Sequence, residues 1–328
     1  MKKLILTAVI LITGLSQILY GQTASDWTKK ANEELKNKNY EEAIIFLNKA
    51  IALDPKYSKA FYSRGYIKCN LKKYDDAITD LNQAIVLDPK FVYAYDERAV
   101  TELYLGHYSD ALSDYDRAIL LDANNAHTYN NRGYLKTAMG NYYDAIVDFD
   151  RAIALDKIYY PAYANRGLAK AALNKYSEAI KDYDQVLSLK PEFPDVYYDR
   201  GCAKEKLGQH EDAKTDYNQA ITYASKIIEK HPKLATAYCI RGLAKVNLGH
   251  YAEAITDFDQ AIAIDAQQPV GYNPRGYAYY KLGNSKVNYM MAIADYDKSL
   301  QLFGWRFEPQ LEYRKDAAAA LKKLSAGQ

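Results

Sequence analysis

Apolar side chains recur three and four residues apart along most of the chain. They come in paired stretches joined by short turns such as Leu105-Gly106-His107 and Leu207-Gly208-Gln209. That spacing stripes one face of a helix, so the pattern predicts one helical hairpin after another. The hairpins repeat. Gly65, Gly133, Gly167 and Gly201 fall on a 34-residue grid, Ala99 fills the remaining point, and Gly242 and Gly276 continue the series after one break. Eight repeats align, starting near Ala24, Ser58, Val92, Ala126, Tyr160, Pro194, Ala235 and Pro269. Each second stretch carries an alanine at one position: Ala43, Ala77, Ala111, Ala145, Ala179, Ala213, Ala254 and Ala292. Small residues there and at the grid position let two helices approach where a large side chain would overpack. Bulky residues such as Tyr129 and Phe149 fill the space to either side. Asp54-Pro55 and Asp88-Pro89 end second helices, because the residue before proline is pushed out of helical geometry.

The segments 128–156 (TYNNRGYLKTAMGNYYDAIVDFDRAIALD) and 162–191 show the unit most clearly. They resemble the tetratricopeptide family, and the resemblance extends over nearly all of the chain beyond residue 22. It implies an all-α fold: an α-solenoid, a right-handed superhelix of about eight helix-turn-helix repeats over 24–302. A capping helix and tail follow over 303–328. No single hairpin can bury its apolar face alone, so neighbours bury each other's and the ends need caps. From Pro309 to Leu324 the sequence reads as one amphipathic helix whose Leu311, Ala317, Leu321 and Leu324 can cover the last repeat. A docking helix for a partner is the alternative reading.

Seven repeats carry an arginine just before the small position: Arg64, Arg98, Arg132, Arg166, Arg200, Arg241 and Arg275. The same seven carry an aspartate three residues after the alanine: Asp80, Asp114, Asp148, Asp182, Asp216, Asp257 and Asp295. The first repeat has Lys30 and Phe46 instead. Joint presence and joint loss predict a ladder of arginine–aspartate pairs, a role suited to the planar guanidinium fork. The regular step fails twice. Gly201 to Gly242 spans 41 residues, the extra seven lying in 222–232, which predicts a longer second helix in the sixth repeat. Four extra residues near Asn284–Asn288 are assigned to the turn of the eighth. Each insertion is either a neutral addition on the solvent side, or a contact site or a bend in the superhelix.

Residues 1–22 place Lys2 and Lys3 before a short apolar run from Leu4 to Leu15, which reads as a secretory signal peptide cut between Gly21 and Ala24. An uncleaved anchor is the alternative, and only that would bring the protein to a membrane. No N-x-Ser/Thr acceptor occurs, which fits a bacterial exported protein, periplasmic, in the cell envelope or secreted. The net charge is +2, and loss of Lys2 and Lys3 brings the chain near neutrality. It therefore has no bulk field to attract nucleic acid. Cys69, Cys202 and Cys239 have no metal-ligand or redox spacing. A Cys202–Cys239 disulfide is conceivable, but adjacent helices pack about 8–10 Å apart and cysteine Cα atoms must come within about 7 Å. His107, His210 and His250 sit at turns. No catalytic set, metal set or phosphate loop is found, so neither an enzyme nor a cofactor is expected.

In the resembled fold the first helices line an inner groove, which implies a protein or peptide partner. The exposed positions of those helices here include Lys59, Tyr62, Tyr66, Cys69, Tyr93, Asp96, Tyr104, His127, Asn130, Tyr134, Tyr198, Asn273, Tyr277 and Tyr280. The fifth repeat offers only bland residues such as Ala164 and Leu168. Tyrosine dominates, among 33 in the chain. A rigid ring with a polar tip supplies contact area at low entropy cost. Packing between neighbouring first helices is the competing explanation. The lysine–asparagine clamp with which some family members grip a C-terminal carboxylate is not matched. The expected role is a scaffold or adaptor. The alternative is an accessory subunit that presents substrate to an envelope or secretion enzyme complex.

Overall fold

Each repeat folds into two helices packed against one another. The computed structural model describes residues 22–266, 271–283, 285–303 and 308–326. The first four repeats comprise α1 (Ala24–Lys36) and α2 (Tyr40–Leu53), α3 (Ser58–Asn70) and α4 (Tyr74–Leu87), α5 (Val92–Leu105) and α6 (Tyr108–Leu121), and α7 (Ala126–Ala138) and α8 (Tyr142–Leu155). The next four comprise α9 (Tyr160–Ala172) and α10 (Tyr176–Leu189), α11 (Pro194–Lys206) and α12 (His210–Lys230), α13 (Ala235–Asn247) and α14 (Tyr251–Ile264), and α15 (Tyr272–Leu282) and α16 (Lys286–Phe303). A last helix, α17 (Glu308–Ser325), follows. No strand occurs among the described residues, and the fold is an all-α repeat solenoid. The helices cluster into two compact bodies, Met1–Lys157 with four repeats and Ile158–Gln328 with four repeats and α17. Residues 1–21 of the segment read as a signal peptide, Pro269, Asn284 and the last two residues lie outside the described residues. None of the described helices is long and apolar enough to cross a membrane.

Second helices end the same way in most repeats. Asp54, Asp88 and Asp122 leave helical geometry for extended backbone. Their carboxylates accept the amides of Lys56, Lys90 and Asn124. The turn inside a repeat needs a left-handed residue. Gly106 supplies it at φ 80°, whereas Lys38 and Lys72 adopt φ 62° and 59° against the ordinary preference of a side-chain-bearing residue.

The grid glycine is explained by an aromatic ring. A Cβ on Gly133 would stand 2.6 Å from the Phe149 ring, and one on Gly167 would stand 2.6 Å from the Tyr183 ring. The ring lies four residues after the repeating alanine, so glycine makes room for it as well as for the opposing backbone. Phe149, Tyr183 and their counterparts Tyr115, Tyr217, Phe258 and Tyr296 are buried.

The arginine–aspartate ladder is present in all seven repeats. Arg132 donates from Nε and Nη2 to the two oxygens of Asp148 at 2.9 and 2.5 Å. The same fork joins Arg64 to Asp80 and Arg275 to Asp295. Each arginine does more than its sequence pairing foretold. In most of them the third nitrogen reaches back 16 residues into the preceding repeat, from Arg64 to Asn48, Arg98 to Asn82, Arg132 to Asp116 and Arg200 to Asp184. The flat face of each lies over an aromatic ring three residues earlier, as Arg132 lies over Tyr129 at 5.6 Å. Lysines four residues on, such as Lys68, Lys136 and Lys204, take a second place on the same aspartates. The first repeat keeps only part of this arrangement. Lys30 lies over Trp27, and Phe46 packs its ring on Trp27 where an aspartate would otherwise stand.

The sixth repeat's second helix, α12, has 21 residues against 14 in α10 and α14. Here Arg241 reaches Ser225, seven residues beyond Asn218, which holds the place of Asn48 and Asn82. The four extra residues of the eighth repeat do not simply lengthen its turn. Helix α16 begins at Lys286, six residues before Ala292, whereas α6 begins three residues before Ala111. Most of the insertion therefore adds to the start of the helix, where the chain gains backbone hydrogen bonds that a loop would leave to water.

Helix α17 packs on the eighth repeat. Ala317 is buried with Ala292 and Tyr296, and Arg314 forks onto Asp297 at 2.6 and 2.9 Å. It covers the last repeat as the capping reading expected, with Leu324 left exposed.

The ladder yields a stability prediction. Asp148 is 3% exposed, so Arg132→Met strands a buried carboxylate with only Lys136 to compensate. The single change is expected to cost about 2–4 kcal/mol, and Arg132→Met with Asp148→Leu is expected to cost less than that single change. Thermal melts followed by circular dichroism decide it, and additive losses would remove the ladder's coupling.

Candidate functional site

The first helices of the first three repeats share a face, and that face is hollowed. Thr28, Lys29 and Asn32 of α1, Lys59 and Tyr62 of α3, and Tyr93 of α5 line a pocket of about 470 Å³, with Tyr57 and Phe91 completing its wall. The sequence puts these side chains together because they recur at matching points of the 34-residue grid, which helix stacking turns into neighbours. Tyr62 packs its ring on Phe91 at 5.0 Å, and Phe91 meets Tyr93 edge-on at 6.4 Å. Tyr93 remains 61% exposed. Burial raises the Tyr62 hydroxyl above its ordinary range, with the nearby charges of Glu97 and Asp96 adding to the effect.

A polar cluster continues from the pocket into the third and fourth repeats. Asp96 is 7% exposed. Its Oδ2 lies 3.3 Å from the Asn131 amide nitrogen and 3.3 Å from His127 Nδ1. The hydrogen bond to Asp96 raises the His127 pKa, against the effect of burial. Glu97 is half-buried beside it. Burial first, and then the Asp96 charge, push its carboxyl up to about 8, while a hydrogen bond with the Cys69 thiol and the charge of His127 pull the other way. Tyr104, stacked on Tyr74 at 5.5 Å, and Tyr134 stand open further along the same face.

The residues nominated from sequence thus divide. Lys59, Tyr62 and Tyr93 meet at the pocket, and Tyr104 and Tyr134 flank the polar cluster. Tyr66 is half-buried against the core of the first two repeats. Asn130 is 6% exposed and donates to the Asn131 side chain, so it supports the face without presenting a surface. In the second body Tyr198 packs on Tyr217 at 6.1 Å, and Asn273 is half-buried. Tyr277 and Tyr280 do not form an open surface, because Tyr313 of α17 covers both at 5.0 and 6.1 Å. Cys202 and Cys239 are free thiols, so the conceivable disulfide is not formed. Cys202 takes a 3.7 Å contact from the Asn247 amide instead.

Glu97 was not nominated as a binding residue. Its signal lay in comparison along the grid: the matching positions hold Lys29, Ser63, Asn131, Asn165, Ile240 and Pro274, and only Glu97 and Asp199 are acids. Asp199 shows the same behaviour in the second body, pushed up to about 7 by burial and the neighbouring Asp195. Elsewhere, Glu102, His107 and Asp110 bring three possible metal-ligand atoms within 4.8 Å, where no metal set was expected from sequence. His107 Nδ1 lies 2.7 Å from Glu102 there, a contact that ties down the turn after α5.

Comparison with known proteins agrees with the repeat geometry. A family model described as TPR repeat matches residues 167–208 and 242–283. Models described as tetratricopeptide repeat match 58–91 and, separately, 27–57, 126–159 and 194–227. No curated protein sequence matches the chain. Among solved structures, a tetratricopeptide repeat protein from Parabacteroides merdae ATCC 43184 is 19% identical with a TM-score of 0.60, over 79% of this chain and 99% of its own. The Cut9–Hcn1 hetero-tetramer of the APC/C is 14% identical with a TM-score of 0.62, over 92% of this chain and 57% of that one. PilW, a type IV pilus biogenesis factor, is 19% identical with a TM-score of 0.55, over 65% of this chain and 95% of its own. At these identities the likeness is one of fold.

The raised Glu97 pKa has a consequence for stability. The folded protein holds this proton to about pH 8, whereas an unfolded chain releases it near 4.5. Stability from this group is therefore full below the unfolded value and falls as pH rises toward 8. His127, also raised, acts in the same direction above its unfolded value of 6.5. Glu97→Gln is expected to flatten the decline between pH 5 and 8.5 by roughly 1–3 kcal/mol. Urea midpoints across that range test it, and parallel curves for the two proteins would refute the assignment.

Proposed function

Because the chain belongs to the tetratricopeptide repeat family, whose repeats serve as protein-interaction scaffolds, we propose that it is an exported scaffold or adaptor. It holds a partner protein or peptide segment against the first-helix face of its first four repeats. The observation that carries this reading is the pocket at which Lys59, Tyr62 and Tyr93 meet. Each lies on the first-helix stripe that the family resemblance implies for the groove. A hollow lined by rings with polar tips suits an extended or helical segment rich in apolar residues. The exposed rings beside it, Tyr93 at 61% and Tyr104 at 63%, are large apolar side chains that the fold leaves uncovered.

Export is supported by Lys2, Lys3 and the apolar run that follows them, and it implies a mature protein in the periplasm, the envelope or the medium. The mass of the protein recovered from its native compartment is expected to correspond to a start between Gly21 and Ala24. An intact Met1 would remove the cleaved-signal reading.

Replacing Tyr93, Tyr104 and Tyr134 together with serine tests the binding face. Capture of partners from an envelope fraction is expected to fall at least about tenfold, equivalent to about 1.4 kcal/mol. The helical signal and melting temperature should be unchanged, since these rings are open to solvent. Undiminished capture would move the binding surface elsewhere.

A further inference from the structure

The buried acids of the ladder are all held by cations. Asp80, Asp148, Asp182, Asp216 and Asp257 each carry an arginine and a lysine, and Asp114 and Asp295 carry an arginine. Asp96 is buried to a similar degree, but among the described residues no lysine or arginine pairs with it. It has Asn131 and His127 on one oxygen, and the other, Oδ1, is buried and accepts no hydrogen bond. Glu97 adds a second carboxyl beside it, with a thiol for its hydrogen-bond partner. The charge of Glu97 acts on the hydroxyls of both Tyr62 and Tyr104. Two acids thus lie next to one another in α5, near aromatic rings of the first-helix face.

His127 is the one cation set against Asp96, and Glu97 holds its proton to about pH 8, so ionising both acids in such a place is costly. A positive group arriving from the open side would offset that cost, and the rings around it would accept an alkyl stem and a cationic head together. A divalent metal fits less well. Asp96, Glu97 and His127 do not bring three ligand atoms within the 4.8 Å that Glu102, His107 and Asp110 achieve.

We propose that the face over Asp96 and Glu97 receives a lysine or arginine side chain of the bound segment, its charged head on the two carboxyls and its stem against Tyr62 and Tyr104. This rests on the binding face of the preceding subsection and specifies the chemistry of the partner: an apolar segment carrying a basic residue. The groups facing the two acids are Tyr62 and Cys69 of α3, Tyr104 of α5, Tyr115 of α6 and His127 of α7. Of these, His127 titrates nearest neutrality, together with Glu97 itself. A bound cation displaces protons from both, so affinity rises with pH from 6 to 8.

The test uses the full chain and a phage-displayed library of random twelve-residue peptides, panned at pH 8. Enriched peptides are expected to carry a lysine or arginine among apolar residues. The best of them, made synthetically, should lose about tenfold or more in affinity when its basic residue becomes norleucine. It should lose a similar factor against the isosteric Asp96→Asn/Glu97→Gln protein, and the two losses should not add. That variant removes charge without changing shape, and circular dichroism confirms that it folds. Enriched peptides without a basic residue, or with full affinity for the double variant, overturn the inference while leaving the binding face intact. If no peptide is enriched, or the serine variant of Tyr93, Tyr104 and Tyr134 binds the peptides unchanged, the binding face itself fails and the inference falls with it.

Discussion

Seven guanidinium groups carry the coherence of this array. Each arginine forks onto an aspartate in the second helix of its own repeat and lies flat on a ring one turn earlier. From most of them a further hydrogen bond reaches the repeat before. One side chain therefore fixes the hairpin and also docks it on its neighbour. Lysine cannot do this, because a single ammonium has neither the plane to stack nor the fork to bond two oxygens in register. The grid glycine next in sequence completes the arrangement, admitting the ring of Phe149 or Tyr183 where a methyl group would collide. Hydrophobic burial holds the helices together, but it is non-directional. The guanidinium supplies the register.

Against that background the acids of the binding face are the exception. The ladder satisfies its buried carboxylates internally, whereas Asp96 keeps an oxygen without a partner and Glu97 keeps its proton toward alkaline pH. Proteins concentrate such local imbalance where they meet ligands. The same repeat also departs from the ladder itself: Glu102 stands where Lys68, Lys136, Lys170, Lys204 and Lys245 pair with the aspartate, and it turns to His107 instead. The third repeat is thus the most acidic point on a chain that is otherwise balanced.

What the sequence disclosed depended on how much each interaction restricts residue type. The Arg–Asp fork tolerates one pairing, so its joint loss at Lys30 and Phe46 was readable. The bond to the preceding repeat accepts an amide, a carboxylate or a hydroxyl, as Asn48, Asp116 and Ser225 show, and no pattern survived for inspection. The exposure of Lys59 and Tyr93 follows from grid position, while Tyr62 is half-buried against Phe91. Asn130 was misplaced because its burial depends on the size of its neighbours. Tyr277 and Tyr280 were misplaced because periodicity does not say which way a terminal helix lies. The acid cluster was hidden for a related reason: a carboxylate is unusual only once the absence of a cation around it is known.

The elongated helix α12 shows how such an array can change length. Arg241 takes Ser225 where earlier arginines take the residue at the place of Asn218, a slip of seven residues along one helix. Seven residues are about two turns, so the acceptor returns to the same side of the cylinder, roughly 10 Å further along. A slip of two or five would have carried it to the far side and left the guanidinium without a partner. The additions in the eighth repeat lie ahead of the helix contact and escape this restriction. Where one helix docks on the next, the spacing between modules is quantised: like a dislocation in a crystal, it can move only by whole lattice steps, and here the step is the helical turn.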